Sequence, residues 1–148
     1  MVSFLPSSML FCCTMNEIRS PMAEGLMKRY HGTRVFVDSA GIHLGKLDHM
    51  MVDVMAEMGI DMSNHKPKTF ENLTDASFDT VISLSPHAQH KAVDLTRYMH
   101  CDVNFWNTFD PSLVEGSRAT KLDAYRQVRD QLRQRILDRF PFPDDPRF

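Results

Sequence analysis

Cys13 and Arg19 stand at the two ends of a short run, TMNEI, which follows an apolar stretch and precedes a helical pattern. Between a strand and a helix, such a run can curl so that its backbone N–H groups converge on an anion, and the helix N-terminus adds partial positive charge. The Arg19 guanidinium can hold two oxygens of that anion, and the same field favours the thiolate form of Cys13. The spacing therefore predicts a nucleophilic sulfur beneath a bound tetrahedral anion. The residues predicted to surround the anion are Thr14, Met15, Asn16, Glu17, Ile18, Arg19 and Ser20.

Two polar residues of this segment, Asn16 and Ser20, suit the backbone that the site requires. A tight curl needs left-handed backbone, which Asn16 tolerates better than most residues. Ser20 is predicted to cap the following helix, with Pro21 at the first helical position, where a missing N–H costs nothing. The Ser20 hydroxyl can also donate a hydrogen bond to the Cys13 sulfur.

Apolar stretches alternate with helical patterns along the chain. Strands are predicted at 9–12, 35–40, 78–85 and 102–106. Helices are predicted from Pro21, after the Ser20 cap, to about residue 32, and from a cap at Asp48 to a stop at Gly59. Two more are predicted around 87–97 and through the segment carrying Leu122, Tyr125, Val128, Leu132 and Ile136.

This alternation predicts an α/β fold, with a four-stranded parallel sheet, helices on both faces and the anion-binding loop after the first strand. A single domain is predicted over residues 1–140, followed by a loose, Pro-rich tail at 141–148. Ligands in such folds bind beyond the carboxyl ends of the strands, and Cys13 follows the first strand directly. The topology therefore places Cys13 in the ligand crevice.

The composition narrows the classes of partner and compartment. The formal net charge of the 148 residues is −2, so neither a nucleic acid nor a membrane surface is an expected partner. Three cysteines, two of them adjacent, do not make a disulfide framework, and a reducing cytoplasm is expected. His87 and His90 share a helix face without a third ligand at suitable spacing, so no metal site is expected.

The segment CTMNEIRSPMAEG is similar to the phosphate-binding loop of the low-molecular-weight protein tyrosine phosphatases, whose superfamily also contains the thioredoxin-coupled arsenate reductases. The segments VDSAGI (37–42), GIDMSNHKPK (59–68), FDTVISLS (78–85) and Asp110-Pro111 follow in the family's order and spacing. The resemblance therefore covers nearly the whole chain. It implies a phosphate monoester or a phosphoprotein as substrate, with affinity for phosphate- and sulfate-like anions and no cofactor.

The resemblance also assigns roles to individual residues. Cys13 is the nucleophile that forms a phospho-cysteine, Arg19 binds the transition state, and Asp110 is the general acid that protonates the leaving group. The residues that it implies as supports of the loop are Asn16, Ser20, Ser39 and His65.

Several positions depart from the family pattern. Met15 stands where the family loop usually has Gly, Glu17 occupies an often apolar position, and Ile18 replaces a second cysteine. Ser112 and Leu113 follow the Asp-Pro pair, where tyrosine phosphatases of this group carry aromatic residues. The resemblance therefore leaves the physiological substrate and the oligomeric state open.

Two other functions remain open from the sequence. In the arsenate-reductase relatives, two further cysteines carry a disulfide outward, and the corresponding positions here fall near Ser85 and Ala92, while Cys101 lies elsewhere. An arsenate-reductase-like protein is one alternative. A phosphate-binding regulatory module, whose turnover is blunted by Met15 and Glu17, is the other.

Overall fold

Four parallel strands form one sheet in the order β2-β1-β3-β4, so the strand that leads to Cys13 is central. The structure is a computed structural model that describes residues 5–74 and 77–142. The strands are β1 (Ser8–Cys13), β2 (Phe36–Gly41), β3 (Thr80–Ser83) and β4 (Asp102–Phe105). The helices are α1 (Arg19–His31), α2 (His49–Ala56), α3 (Pro86–Leu95) and α4 (Arg118–Arg139), with short 3-10 turns at Phe70–Asn72 and Pro111–Leu113.

Helices cover both faces of the sheet, and each face has its own apolar core. The larger core joins one face to α1, α2 and α4, and the smaller core joins the other face to Ala88 and Ala92 of α3. Because successive side chains of a strand point to opposite faces, Cys13 belongs to the larger core and Cys12 to the smaller one. The predicted α/β fold with a four-stranded parallel sheet is confirmed.

Most predicted elements are present with shifted ends. The third strand is shorter than the predicted 78–85, because its pairing with the neighbouring strands ends at Ser83. Asp48 caps α2 as predicted, since its Oδ1 accepts a hydrogen bond of 2.9 Å from the backbone N–H of Met51. The periodic residues of α4 are buried as the helical spacing requires, with Leu122 only partly covered.

The predicted helix cap at Ser20 is wrong. Helix α1 begins at Arg19, two residues before the predicted first helical position, and follows Ile18, whose side chain makes no capping hydrogen bond. Ser20 is fully buried inside the first turn, and its hydroxyl contacts the side chains of Cys13 and Asn16. The hydroxyl is therefore used in the loop and not at the helix end.

The end of α4 and the residues after it pack against α1. Phe140 is buried, and the Phe142 ring lies 5.5 Å from the Tyr30 ring and 5.9 Å from the His31 ring, measured between centroids. Residues 143–148, the remainder of the predicted tail, lie outside the described residues. Within the described ranges, no helix is long and apolar enough to cross a membrane.

Candidate active site

The segment 14–18 forms a loop between the carboxyl end of β1 and the N-terminus of α1. Asn16 has a φ of 55°, the left-handed backbone that the sequence predicted for it. The end of β2 lies so close to the loop that a Cβ atom at Gly41 would stand only 2.7 Å from the carbonyl carbon of Met15. Only a glycine permits this approach. The Thr14 carbonyl accepts hydrogen bonds of 2.9 and 3.0 Å from the N–H groups of Ile42 and His43, which fixes the start of the loop.

The Cys13 sulfur lies beside a hydroxyl at the start of α1. Its Sγ is 2.9 Å from Ser20 Oγ, and Ser20 Oγ accepts a hydrogen bond of 2.8 Å from Asn16 Nδ2. An amide nitrogen can only donate, so the Ser20 hydrogen is available for the sulfur. The Ser20 hydroxyl is therefore free to donate to the Cys13 sulfur.

Asn16 is the centre of the loop's hydrogen bonding. Besides Ser20, its Nδ2 donates to Ser39 Oγ at 2.9 Å, and its Oδ1 accepts from the backbone N–H of Lys68 at 3.0 Å. The His65 Nε2–H donates to the Asn16 carbonyl at 3.0 Å. The structure thus brings together the four residues that the resemblance implied as supports of the loop.

His65 is half-buried beside the loop, and burial lowers the pKa of its imidazole below the ordinary value. The hydrogen bond to Asn16 and the charge of Glu24 act in the opposite direction, but burial is the larger cause. A neutral imidazole fits the observed contact, in which Nε2 carries the hydrogen and donates it. The ring therefore acts as a neutral support of the loop backbone.

Arg19 and Asp110 face each other across the mouth of the loop. Arg19 Nη1 donates to the Thr108 carbonyl at 3.1 Å, and Nη2 lies 3.9 Å from Asp110 Oδ2. Asp110 Oδ1 accepts hydrogen bonds from the Ser112 N–H at 3.0 Å and the Ser112 hydroxyl at 2.7 Å. One carboxylate oxygen is thus held by the 3-10 turn, while the other is directed toward Arg19. The Asp110 side chain is 30% exposed, so substrate and water can reach it.

A cleft of about 170 Å³ opens over the sulfur. Its lining residues are Cys13, Met15, Glu17, Ile18, Arg19, Asp48, Asp110 and Ser112. One guanidinium and three carboxylates therefore share the cleft. Tyr125 stands behind it and donates to Asp48 Oδ2 at 2.9 Å. Burial raises the pKa of the Tyr125 hydroxyl above its ordinary range, and the hydrogen bond to Asp48 and the charges of Asp48, Asp110 and Glu17 raise it further.

Four residues of this neighbourhood were not singled out from the sequence as site residues: Glu24, Asp48, Lys68 and Thr108. Glu24 lies one turn after Ser20 on α1, but nothing in the sequence spacing shows that its side chain contacts Ser39 on β2. Thr108 and Lys68 contribute backbone groups, which any residue carries. For Asp48 a signal was present, because helix caps in α/β folds often face the ligand crevice.

The two positions that correspond to the relay cysteines of the arsenate reductases are Ser85, the N-cap of α3, and Ala92, within that helix. Ser85 caps that helix, and its hydroxyl accepts a hydrogen bond of 3.0 Å from Thr14 Oγ1, so position 85 touches the loop. Ala92 lies in the same helix and is fully buried. Cys101 is half-buried before β4, and all three cysteines are free thiols. Within residues 5–74 and 77–142, no group of three His, Cys, Asp or Glu side chains is arranged to hold a metal ion.

Comparison with known proteins agrees with this geometry. The family model described as low molecular weight phosphotyrosine protein phosphatase matches residues 8–139. An arsenate reductase of Halalkalibacterium halodurans is 35% identical over 126 residues, which cover 85% of this chain and 89% of that protein. The solution structure of a low molecular weight protein tyrosine phosphatase from Bacillus subtilis is 28% identical, with a TM-score of 0.68 and coverage of 86% of this chain and 90% of the other. An arsenate reductase solved in its phosphate binding state is 27% identical, with a TM-score of 0.68 and coverage of 88% and 94%. The chain therefore belongs to the low molecular weight phosphotyrosine protein phosphatase family.

Proposed function

We propose that this protein is a phosphomonoester hydrolase that works through a phospho-cysteine at Cys13. The observation that carries the proposal is the placement of a sulfur, a guanidinium and a carboxyl group around one small cleft, with Cys13, Arg19 and Asp110 all in its lining. The structure of a relative in its phosphate binding state supports binding of phosphate by this family.

In the first step, the Cys13 thiolate attacks phosphorus as the bond to the leaving oxygen breaks. Asp110, protonated at that moment, gives its proton to the leaving oxygen, so an alcohol or a phenol departs. The loop N–H groups and Arg19 contact the equatorial oxygens, where charge is redistributed in the transition state. For this contact, Arg19 Nη2 turns from its 3.9 Å approach to Asp110 toward the phosphate.

In the second step, the Asp110 carboxylate takes a proton from water while the water oxygen attacks phosphorus. The S–P bond breaks, phosphate is released and the thiolate is restored. The Ser20 hydroxyl, 2.9 Å from Cys13 Sγ, stabilises the sulfur as it leaves with negative charge. Both steps use only side chains of this chain and a water molecule.

Arsenate reduction is the second candidate function, because the 35% identical relative is named an arsenate reductase. Converting arsenate to arsenite takes two electrons, which two thiols supply by forming a disulfide. Cys13 is one such thiol, while Ser85, the residue that touches the loop from α3, carries a hydroxyl. Neither Cys12 nor Cys101 lines the cleft, so this chain would draw the second thiol from an external thiol protein.

The test measures hydrolysis of p-nitrophenyl phosphate and phenyl phosphate, and separately the reduction of arsenate with reduced thioredoxin. We expect Cys13→Ser to abolish hydrolysis, whereas Cys12→Ser, the matched control on the opposite face of the sheet, retains it. Asp110→Asn should slow hydrolysis of phenyl phosphate more than that of p-nitrophenyl phosphate, because the poorer leaving group needs the proton more. Undiminished hydrolysis by Cys13→Ser would refute the mechanism, and arsenate reduction without ester hydrolysis would establish the second candidate.

A further inference from the structure

Glu24 is a buried carboxylate that lies behind the loop, away from the cleft. Its side chain is 10% exposed, and it lines a groove on the far side of the loop together with His65 and Lys28. Its Oε1 accepts a hydrogen bond of 2.5 Å from Ser39 Oγ, and its Oε2 is paired with Lys28 Nζ at 2.5 Å. The Glu24 carboxylate is largely removed from water, so it depends on its contacts with Ser39 and Lys28 and constrains both side chains strongly.

Counting hydrogens gives the direction of every hydrogen bond between Glu24 and the sulfur. The ionised Glu24 can only accept, so the single Ser39 hydrogen goes to it. Ser39 Oγ can then only accept from Asn16 Nδ2 at 2.9 Å, and the second Nδ2 hydrogen goes to Ser20 Oγ at 2.8 Å. The Ser20 hydrogen is left for Cys13 Sγ at 2.9 Å. All bonds of this chain therefore run in one direction, and the sulfur is the final acceptor.

The orientation of the Asn16 amide is the point at which this order could be reversed. If its oxygen faced the two serines, both hydroxyls could donate to it, and Ser20 would then accept from a Cys13 thiol. Two contacts oppose that orientation. The Lys68 N–H donates to Asn16 Oδ1 at 3.0 Å, and Glu24 occupies the Ser39 hydrogen.

From these contacts we infer that Glu24 is a positioning residue that favours the Cys13 thiolate by directing the chain Ser39, Asn16, Ser20 toward the sulfur. The consequence for catalysis rests on the proposed function, in which the thiolate is the nucleophile. Hydrogen bonds arranged in one direction also polarise one another, which strengthens the last one.

The sign of the effect separates this role from simple electrostatics. A negative charge acting through space opposes ionisation of a nearby thiol, so removing Glu24 should make the thiolate form at lower pH. The directed chain predicts the opposite. Without Glu24, only the Lys68 N–H opposes rotation of the Asn16 amide, and in the rotated amide Ser20 donates to Asn16 and accepts from the Cys13 thiol. The charged residues that line the cleft with Cys13, namely Glu17, Arg19, Asp48 and Asp110, are the same in every variant compared. Removing the Glu24 charge lowers the pKa of the neighbouring His65 further, so that imidazole stays neutral, and the Lys28 charge that remains would favour the thiolate, the same sign as simple electrostatics.

The experiment follows alkylation of Cys13 by iodoacetamide as a function of pH, with the modified Cys13 peptide quantified by mass spectrometry. We expect Glu24→Met, which has a similar volume and no acceptor, to move the midpoint to higher pH by about one unit, a tenfold change in ionisation. Glu24→Gln is the matched control, because its amide oxygen can still accept from Ser39, and its midpoint should stay near that of the wild type. In a Ser20→Ala background, Glu24→Met should produce no further shift.

A second variant keeps the test informative if Glu24→Met does not fold. Ser39→Ala cuts the chain while leaving Glu24 in place, and it should also move the midpoint to higher pH. An unchanged or lower midpoint in the folded variants, or a shift of the same size in the Ser20→Ala background, would overturn the inference. Alkylation needs no phosphate ester, so a protein that shows the shift but hydrolyses no ester would contradict only the proposed function.

Discussion

Removing the Asn16 side chain should destabilise the protein, because this one residue joins three separate segments. Asn16 is fully buried and makes three side-chain hydrogen bonds, to Ser20, to Ser39 and from the Lys68 N–H. At about 1 kcal/mol for each bond, Asn16→Gly should lower the free energy of unfolding by about 3 kcal/mol. For a domain of this size, such a loss corresponds to a fall of about 10 °C in the melting temperature.

Asn16→Ala tests the backbone part of the same argument. Alanine removes the same hydrogen bonds as glycine, but the φ of 55° at this position is unfavourable for a residue with a Cβ atom. We expect Asn16→Ala to be less stable than Asn16→Gly by about 1 kcal/mol, although Ala is ordinarily the more stabilising residue. The assay is equilibrium unfolding in urea, monitored by the fluorescence of the single tryptophan and by circular dichroism. Equal stability of the two variants, or a loss below 1 kcal/mol in both, would refute the account of the loop.

Three further predictions concern charge and packing around the same fold. Glu17→Gln should tighten binding of inorganic phosphate about fivefold, because it removes a negative charge from the lining of the anion cleft. Isothermal titration calorimetry measures the affinity, and an unchanged affinity would mean that solvent screens the Glu17 carboxylate. Hydrogen bonds from Arg126 and Arg129 lower the pKa of Glu57 from 4.5 to about 2, so its stabilising effect is complete above pH 4.5 and is lost as the pH falls toward 2. As the pH falls from 4.5 toward 2, the melting temperature of Glu57→Gln should therefore decrease less than that of the wild type. Parallel curves of melting temperature against pH for the two proteins would contradict the pairing. Gly41→Ala should displace the loop and lower the free energy of unfolding by about 2 kcal/mol. Phosphate should then no longer protect the Cys13 thiol from alkylation. A fully stable variant with intact phosphate binding would show that the loop can move aside.

The fold could be predicted from the sequence because its signals are local. Alternating strands and helices identify a parallel sheet, and the carboxyl end of β1 is where the crevice of such a sheet lies. The left-handed backbone at Asn16 and the cap at Asp48 also follow from residue type and immediate neighbours. Strand ends were less accurate, since pairing with the adjacent strand decides where a strand stops, as at Ser83.

The remainder of the site depends on contacts between distant segments. Ser20 has the residue type and position of a helix cap, but the partners that the fold offers it are Cys13 and Asn16, so it enters the helix. Glu24 meets Ser39 across 15 residues, and the backbone of Thr108 meets Arg19 across 89. No local pattern encodes such meetings. They arise when α1, β2 and the segment after β4 come together at one edge of the sheet.

The pleat of β1 directs the two adjacent thiols to opposite faces of the sheet, so a reagent reaches them by different routes. Cys12 faces the smaller core, and burial together with the neighbouring Cys13 raises the pKa of its thiol well above the ordinary value. Cys13 is also buried, with 2% of its surface exposed, but it lines the cleft, so a small electrophile reaches its sulfur through that opening. Labelling of Cys13 in the native protein therefore reports on the cleft, whereas labelling of Cys12 requires the sheet and α3 to separate. A single cysteine-reactive probe, read at two consecutive residues, distinguishes occupancy of the cleft from opening of the fold.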